Sequence, residues 1–175
     1  IIVDRFSYLD IPLLKEWNIA RWDVVVFKPN ISKEKRYFIK RVIGLPGETL
    51  KISDWKVYVK KVWSAEFIEL NEDYLSPANK WLTFVRWEKK AFEYVIPENS
   101  YFVMWDNRNA STDSRECFLS CMTDAHSNFI KKADVTGKVF LDLWYFNFKT
   151  FSFTHPNLGI PTTPRLLWSP REFNY

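Results

Sequence analysis

A lysine lies inside a strand-like apolar run, at Lys40 in residues 39–48, IKRVIGLPGE. Side chains alternate between the two faces of a strand, so Lys40 points either to solvent or into the core. An inward amine loses hydration, which disfavours its charged form, lowers its pKa and makes it available as a general base. The alternative is an exposed lysine that protects a sheet edge from pairing.

A dense set of hydrogen-bonding side chains occupies residues 105–115, WDNRNASTDSR, directly after the apolar run YFVM. Two Asp, two Asn, two Arg and two Ser residues occur there. Such residues fix a loop through Asx-type hydrogen bonds and Asp–Arg pairing. Taken alone, this pattern favours a structural polar loop over a functional one.

The elements that must position these residues are strands. Short runs of β-branched and aromatic residues recur, and turn compositions such as KPN, GLPGE, SDWK and IPENS separate them. Helical periodicity is weak, and strands spaced this closely argue against a parallel sheet with crossover helices. The sequence therefore predicts a mainly β fold of antiparallel sheets packed or coiled on each other, with few short helices. The predicted strands cover residues 24–27, 37–43, 49–52, 56–59, 92–96, 100–104 and 137–146.

Length and composition are typical of one packed domain with at most a modest appendage: 175 residues, 47% hydrophobic and 26% charged. The formal net charge of +4 is too small to imply nucleic-acid binding. No stretch approaches the roughly 20 apolar residues that span a bilayer. We expect one β domain over residues 1–149, with an inserted excursion at 60–95. A proline-rich C-terminal tail follows over 150–175, either as an extended strap or as a loose tail.

Together and in this order, three segments resemble sequence blocks of the bacterial type I signal peptidases. Residues 40–48 match the family pattern K-R-V-x-G-L-P-G-D/E. Residues 105–115 match G-D-N-R-x-x-S-x-D-S-R, and residues 21–27, RWDVVVF, match R-G-D-I/V-V-V-F, each with one departure. The opening IIVDRFSY looks like the family stretch just after the nucleophile. The resemblance covers residues 1–146.

The resemblance implies the signal-peptidase-type β fold and a membrane-bound serine endopeptidase. This hydrolase removes signal peptides from exported preproteins through a Ser–Lys dyad. Matched position by position, Lys40 would be the general base, and Ser111 would hydrogen-bond its amine and hold it in line. Structural support would come from Asp113 paired with Arg115, and from Arg41 and Asp106 at the same corner.

The resemblance also implies where a substrate binds. Val26, Phe38 and Ile39 would line shallow pockets for small residues at the first and third positions before the cut, an Ala-x-Ala-like preference. The substrate would add as a strand, with main-chain hydrogen bonds supplying affinity. The partners would be exported preproteins and a lipid surface, on the extracytoplasmic side of a bacterial cytoplasmic membrane. We expect no nucleic-acid partner, no cofactor and no metal.

The serine nucleophile is not found in this chain. In the family it lies in S-M-x-P-T, upstream of the IIVDRF-like stretch, and no serine here has that context. We therefore expect a fragment that lacks the nucleophile, one oxyanion donor and the membrane anchor, and that is inactive as given.

Two other functions stay open. Self-cleaving repressors share the Ser–Lys dyad and part of the β core, but they lack the block found here at residues 105–115. A catalytically inactive homologue or a β binding module would be favoured if the complete gene had no S-M-x-P-T upstream.

Tryptophan stands at three positions where the family has glycine: Trp22, Trp55 and Trp105. The dipeptide Asp54-Trp55 falls in a predicted hairpin turn whose central residues need a positive φ, which tryptophan disfavours. A chain of this length holds about 12 glycines at ordinary usage, yet this one holds 4, together with 9 tryptophans. We hypothesise that the gene reads UGA as glycine and was translated with a table that reads UGA as tryptophan. The alternative is a real aromatic belt that dips into lipid.

Two weaker patterns predict no ligand. Cys117, Cys121 and His126 form C-x3-C-x4-H, but a zinc site normally has four ligands and the chain's only other histidine is His155. We therefore expect either a structural Cys117–Cys121 pair or two free thiols. The basic run at 28–41 predicts a solvated loop rather than a phosphate-binding patch.

Overall fold

The computed structural model describes residues 2–4, 19–28, 37–85, 92–109, 112–119, 127–142, 146–147, 152–153 and 165–166. Within these ranges the strands are β1 Ile2–Asp4, β2 Val24–Phe27, β3 Phe38–Gly44, β4 Thr49–Ser53, β5 Lys56–Lys60, β6 Ile68–Glu69, β7 Phe92–Val95, β8 Ser100–Met104, β9 Ile130–Lys131, β10 Val135–Asp142, β11 Phe146–Asn147, β12 Ser152–Phe153 and β13 Arg165–Leu166. Short 3₁₀ segments cover Ser114–Leu119 and Lys132–Asp134. Over the same ranges, no helix has the length and apolar character needed to cross a membrane.

The larger sheet follows the order β1-β10-β2-β3-β8-β9, and β13 also pairs with β10. All of these pairings are antiparallel. The β2–β3 pairing sets Val25 opposite Lys40, and the β3–β8 pairing sets Arg41 opposite Met104. The strand that carries Lys40 is therefore held on both sides, and the residues after Met104 leave the sheet beside it.

A second sheet has the order β6-β5-β4-β7, and β11 pairs with β12 in a separate two-stranded sheet. In the β4–β5 hairpin, alternate residues are buried, as the alternation of apolar and polar residues requires. The hairpin closes at Asp54 and Trp55, with Ser53 paired to Lys56. Both turn residues have a positive φ, 50° and 67° respectively, which is the type I′ geometry predicted for this turn.

Two hydrophobic clusters form the core and meet across β3 and β8. Val42 belongs to one cluster and the next residue, Ile43, to the other, because successive side chains of a strand face opposite sides. Every residue of β8 is buried, since both of its faces are covered. The first cluster comprises Trp22, Ile43, Leu50, Ile52, Val57, Val59, Leu70, Tyr94, Ile96, Phe102 and Met104. The second comprises Ile19, Val25, Phe27, Val42, Tyr101, Val103, Phe118 and Ile130.

The turn between β3 and β4 fixes the far end of the Lys40 strand. Gly47 has a φ of 78° in this turn, a conformation that residues with a Cβ rarely adopt. Its N–H donates to the carbonyl oxygen of Ile96 at 3.0 Å. Glu48 accepts a hydrogen bond from the Leu45 N–H at 2.9 Å and pairs with buried Arg21 at 2.5 Å. The turn is therefore anchored to the segment just before β2 and to the segment just after β7.

The predicted fold class is confirmed: the structure consists mainly of antiparallel β sheets with short 3₁₀ segments. In the tail, β12 pairs with β11 and β13 pairs with β10, and the choice between an extended strap and a loose tail stays a prediction. The division at residue 149 and the status of 60–95 as an insertion stay predictions.

Candidate active site

Lys40 turns its side chain into the protein rather than to solvent. Strand alternation places it on the face of β3 that also carries Phe38 and Val42, with Val25 as its cross-strand neighbour. The residue is only 7% exposed. Its Nζ lies 5.5 Å from the ring centroid of Phe38 and 4.8 Å from that of Trp105. Of the two orientations that the sequence left open, the inward one is observed.

The surroundings of Lys40 disfavour its charged form. Burial lowers the pKa of Lys40 below its ordinary value, and the negative charge of Asp113 offsets only part of this effect. Desolvation acts in this direction because an ammonium ion loses more hydration energy than a neutral amine. An amine with a lowered pKa is neutral in a larger fraction at a given pH. It can therefore accept a proton from a hydroxyl group, as a general base does.

Arg41, the next residue of β3, ties this strand to the polar loop 105–115. Its Nε donates to Asp106 Oδ1 at 2.8 Å, and its Nη2 donates to Asp106 Oδ2 at 2.7 Å. A third donor, Nη1, bonds the carbonyl oxygen of Trp22 at 2.8 Å. A two-pronged bond of this kind fixes orientation as well as distance. The start of the loop is therefore held beside the strand that bears Lys40.

Asp113 and Arg115 form a buried ion pair within the polar loop 105–115. Arg115 Nε donates to Asp113 Oδ1 at 3.0 Å, and Nη2 donates to Oδ2 at 2.9 Å. Asp113 Oδ2 also accepts the backbone N–H of Trp105 at 3.2 Å. The hydroxyl oxygen of Ser114 accepts the backbone N–H of Val103 at 2.9 Å. These bonds fold the loop back onto the end of β8.

Ser111 lies outside the described residues, and so do Cys121, His126 and His155. The role of Ser111 as the residue that orients Lys40 stays a prediction. Cys117 is disulfide-bonded, which agrees with the structural pair and not with two free thiols.

The three predicted pocket residues do not share one face. Phe38 lies on the same face as Lys40, whereas Val26 and Ile39 are paired with each other and point to the other face of the β2–β3 ladder. Ile39 is 36% exposed, and Val26 and Phe38 are half-buried. Of the three, Phe38 is the one brought to the lysine amine. The pocket roles of all three residues stay predictions.

Two of the three tryptophans at family glycine positions adopt glycine-like backbone geometry. The φ angle is 75° at Trp22 and 67° at Trp55, in the left-handed region that a bulky side chain disfavours. Trp105 has no positive φ, and its ring covers the Lys40 amine. The recoding hypothesis stays a prediction, and the positive φ angles at Trp22 and Trp55 support it.

Comparison with known proteins identifies the family. Residues 1–144 match the family described as signal peptidase, peptidase S26. The chain belongs to this family. A signal peptidase I of Bacillus caldolyticus is 34% identical over 161 residues, which cover 87% of this chain and 72% of the relative. A probable signal peptidase I of Synechocystis is 30% identical over 151 residues, covering 82% of this chain and 54% of the relative. This chain thus spans only about half the length of the second relative.

A crystal structure of a signal peptidase I from Enterococcus faecalis aligns with a TM-score of 0.49 at 30% sequence identity, covering 70% of this chain and 97% of that one. The family match and the homologues confirm the predicted type I signal peptidase family, and with it a peptidase of signal-peptide processing. The roles assigned to single residues are not tested by these comparisons.

Sequence reasoning missed the partners of Arg108 in this signal peptidase family member. Arg108 belongs to the polar loop 105–115, but the motif did not suggest a role for it. Its buried guanidinium contacts Glu72, Tyr74 and Thr83, which lie in the predicted excursion. An arginine is rarely buried without a partner, so a buried Arg108 would be expected to pair with a carboxylate. The spacing of residues in the sequence could not show which of the 21 acidic residues is that partner.

Proposed function

We propose that the protein to which this chain belongs removes signal peptides from exported preproteins as a Ser–Lys serine endopeptidase, with Lys40 as the general base. The observation that carries the proposal is the burial of Lys40, on a family motif, with a pKa lowered by desolvation. Catalytic bases of this type need an amine that loses its proton more readily than an ordinary lysine, and burial shifts the pKa of Lys40 in that direction.

In the proposed mechanism, the Lys40 amine accepts a proton in both acylation and deacylation. The neutral Lys40 amine takes the proton of a serine hydroxyl as its oxygen attacks the scissile carbonyl carbon, and the resulting ammonium protonates the leaving amine. The same amine then activates the water that hydrolyses the acyl-enzyme. Ser111 is proposed to hold the amine in line. We propose that the serine nucleophile comes from residues outside this sequence, since no serine here lies in S-M-x-P-T.

The proposed substrate is an extended peptide with small residues at the first and third positions before the cut. Phe38, beside the lysine amine, is the best-supported pocket residue, and Val26 and Ile39 are proposed as the others. The proposed location is the extracytoplasmic face of a bacterial cytoplasmic membrane, with the lipid surface as a second partner. The identity between this chain and bacterial signal peptidases I supports that location.

The proposal predicts how Lys40 variants behave in the protein expressed from the complete gene. Lys40→Arg keeps a positive charge but cannot lose its proton near neutral pH, so it should abolish preprotein cleavage. Lys40→Met keeps the length and fold and should also abolish it. In the unmodified enzyme the rate should rise with pH, because the neutral fraction grows, and level off above the lowered pKa. The measurement is kcat/KM for a preprotein between pH 6 and about 10.

Lys131→Met provides the matched control, because Lys131 is an exposed strand lysine on β9. This variant should cleave at the unmodified rate. Turnover retained in Lys40→Arg would remove the general-base role. A complete gene product that carries S-M-x-P-T but cleaves no preprotein would favour an inactive homologue instead.

A further inference from the structure

The most deeply buried guanidinium of the described residues belongs to Arg108 in the polar loop 105–115, with a side chain 0% exposed. Its Nη2 donates to Glu72 Oε1 at 2.5 Å and to the Tyr74 hydroxyl oxygen at 2.7 Å. Its Nη1 donates to Thr83 Oγ1 at 2.9 Å. A buried cation is tolerated only when it is paired and hydrogen-bonded. All three acceptors come from one segment, residues 72–84.

The 72–84 segment also holds the loop at two further points. Asn79 Oδ1 accepts the backbone N–H of Arg108 at 3.2 Å. The carbonyl oxygen of Phe84 accepts a hydrogen bond from Arg115 Nη1 at 3.1 Å, and Arg115 in turn bonds the carbonyl oxygen of Arg108 at 3.2 Å. The segment therefore contacts both the beginning and the end of the polar loop.

Tyr74 joins this network to the strand of the proposed base. Its ring lies 4.3 Å from the guanidinium carbon of Arg41, the residue after Lys40. Its hydroxyl donates to Glu72 Oε1 at 2.5 Å while it accepts from Arg108. Burial raises the pKa of Tyr74 well above its ordinary value, so the phenol keeps the proton that it donates. One side chain thus touches the strand and the loop that must meet at the site.

We propose that residues 72–84 are a positioning element of the active site, in which Glu72, Tyr74 and Thr83 hold Arg108 and thereby fix the polar loop 105–115 against Lys40. This inference rests on the proposed function for its effect on catalysis, but its effect on Lys40 does not require cleavage. It gives the excursion a function that its sequence did not indicate. Glu72 and Tyr74 act through the loop and are positioning residues rather than catalytic ones.

The first test is the titration of the Lys40 amine in the 175-residue chain, monitored through the NMR signals of its side-chain methylene groups. Glu72→Ala should release the loop, admit water to Lys40 and raise its pKa toward the ordinary lysine value. Release of the loop would also move the Asp113 charge away from Lys40, and this change alone would lower the pKa of Lys40. Loss of burial should outweigh it, because burial has the larger effect on this pKa. Tyr74→Phe keeps the ring against Arg41 and removes one acceptor, so it should shift the pKa in the same direction by less.

Glu69→Ala is the matched control. Glu69 lies three residues before Glu72, but its ion pair with Lys56 is exposed to solvent. It should leave the titration of Lys40 unchanged. If Glu72→Ala fails to fold, Tyr74→Phe and Thr83→Ala decide the question, because both leave the Glu72–Arg108 charge pair in place. Thr83→Ala removes one hydrogen bond to Arg108, and Tyr74→Phe removes one to Arg108 and one to Glu72.

The second test uses cleavage by the protein from the complete gene. Glu72→Ala should lower kcat by about 100-fold, as expected for a misplaced catalytic group, with KM unchanged. Its pH–rate profile should level off at higher pH than that of the unmodified enzyme, whereas Glu69→Ala should match the unmodified enzyme in both respects. If folded Glu72→Ala and Tyr74→Phe leave both the Lys40 titration and kcat unchanged, the positioning role is wrong. If the unmodified enzyme does not cleave at all, the proposed function fails, and the titration alone then decides the positioning role.

Discussion

Keeping the Lys40 amine out of water costs stability. Each unit by which the pKa of a buried group departs from its ordinary value corresponds to about 1.4 kcal/mol between its two protonation states. Among the described residues, the rings of Phe38 and Trp105 lie near the Lys40 amine, and Asp113 is the one opposing charge that acts on its pKa. A purely structural lysine would be expected to reach solvent or a carboxylate. This arrangement is therefore better explained by a need for the neutral amine.

Backbone strain at Trp22 and Trp55 is the second feature at the residue scale. A left-handed conformation costs about 1–2 kcal/mol for a residue with a Cβ and nothing for glycine. Trp55 is half exposed, so little buried area compensates for that cost. Both positions hold glycine in the sequence patterns of the type I signal peptidases. The recoding hypothesis accounts for the strain and for the shortage of glycine together.

We predict that Trp55→Gly is more stable than Trp55→Ala by about 1 kcal/mol, because both remove the indole and only alanine keeps the Cβ. The same pair at Trp63 is the control, since Trp63 is exposed and has no positive φ. There alanine should be the more stable by about 0.4–1 kcal/mol. The measurement is the free energy of unfolding in urea. Equal stability of the two variants at position 55 would mean that the turn does not require glycine, and UGG codons at positions 22, 55 and 105 would refute recoding.

At the scale of elements, local patterns predicted most of the strands. The β4–β5 hairpin was predicted because apolar and polar residues alternate on both sides of a two-residue turn, and it ends within one residue of the prediction. The run 37–43 became β3, Phe38–Gly44. Strand β10 begins at Val135, two residues before the predicted start at 137. Periodicity identifies a strand well, but it determines strand ends less well.

Contacts between distant elements could not be predicted in the same way. The Arg41–Asp106 pair joins residues 65 apart in sequence, and the Arg108–Glu72 pair joins residues 36 apart. Family motifs indicated that Arg41 and Asp106 belong to one corner. Nothing comparable indicated Glu72, because residues 60–95 match none of the motifs and show no clear alternation. Sequence thus indicated the proposed base and the polar loop 105–115, but not the segment that contacts this loop.

The link between β3 and the polar loop 105–115 makes a prediction about stability. Asp106→Ala should lower the free energy of unfolding by about 1–3 kcal/mol, because it leaves the mostly buried Arg41 guanidinium without its two-pronged acceptor. Glu69→Ala breaks an ion pair whose two side chains are both more than 40% exposed and should cause a much smaller loss. Chemical denaturation of the two variants measures the difference. Equal losses would mean that Asp106 contributes no more than a surface charge.

At the scale of the whole molecule, the two hydrophobic clusters share β3 and β8. A side chain removed from either cluster therefore disturbs strands that support both. Phe102 belongs to the first cluster, and its neighbour Val103 belongs to the second. The proposed active-site residues lie on these shared strands and on the loop that leaves β8. Site geometry and global stability should therefore be lost together.

We predict a single cooperative unfolding transition for the two sheets. Phe102→Ala should lower the free energy of unfolding by about 3–5 kcal/mol. Hydrogen exchange should show the same loss of protection in β2, which belongs to the second cluster, as in the β4–β5 hairpin, which belongs to the first. Loss of protection confined to the hairpin would show instead that the second sheet unfolds independently.

The proposed general-base role requires that the Lys40 amine lose its proton more readily than an ordinary lysine does. NMR titration of lysine side-chain methylene signals tests it most directly, with the Lys40 signal assigned by its absence in Lys40→Met. Desolvation predicts that this signal titrates below the ordinary lysine pKa of about 10.4. A Lys40 pKa at or above that value would rule out the general-base role, because the amine would then be protonated where a general base is needed.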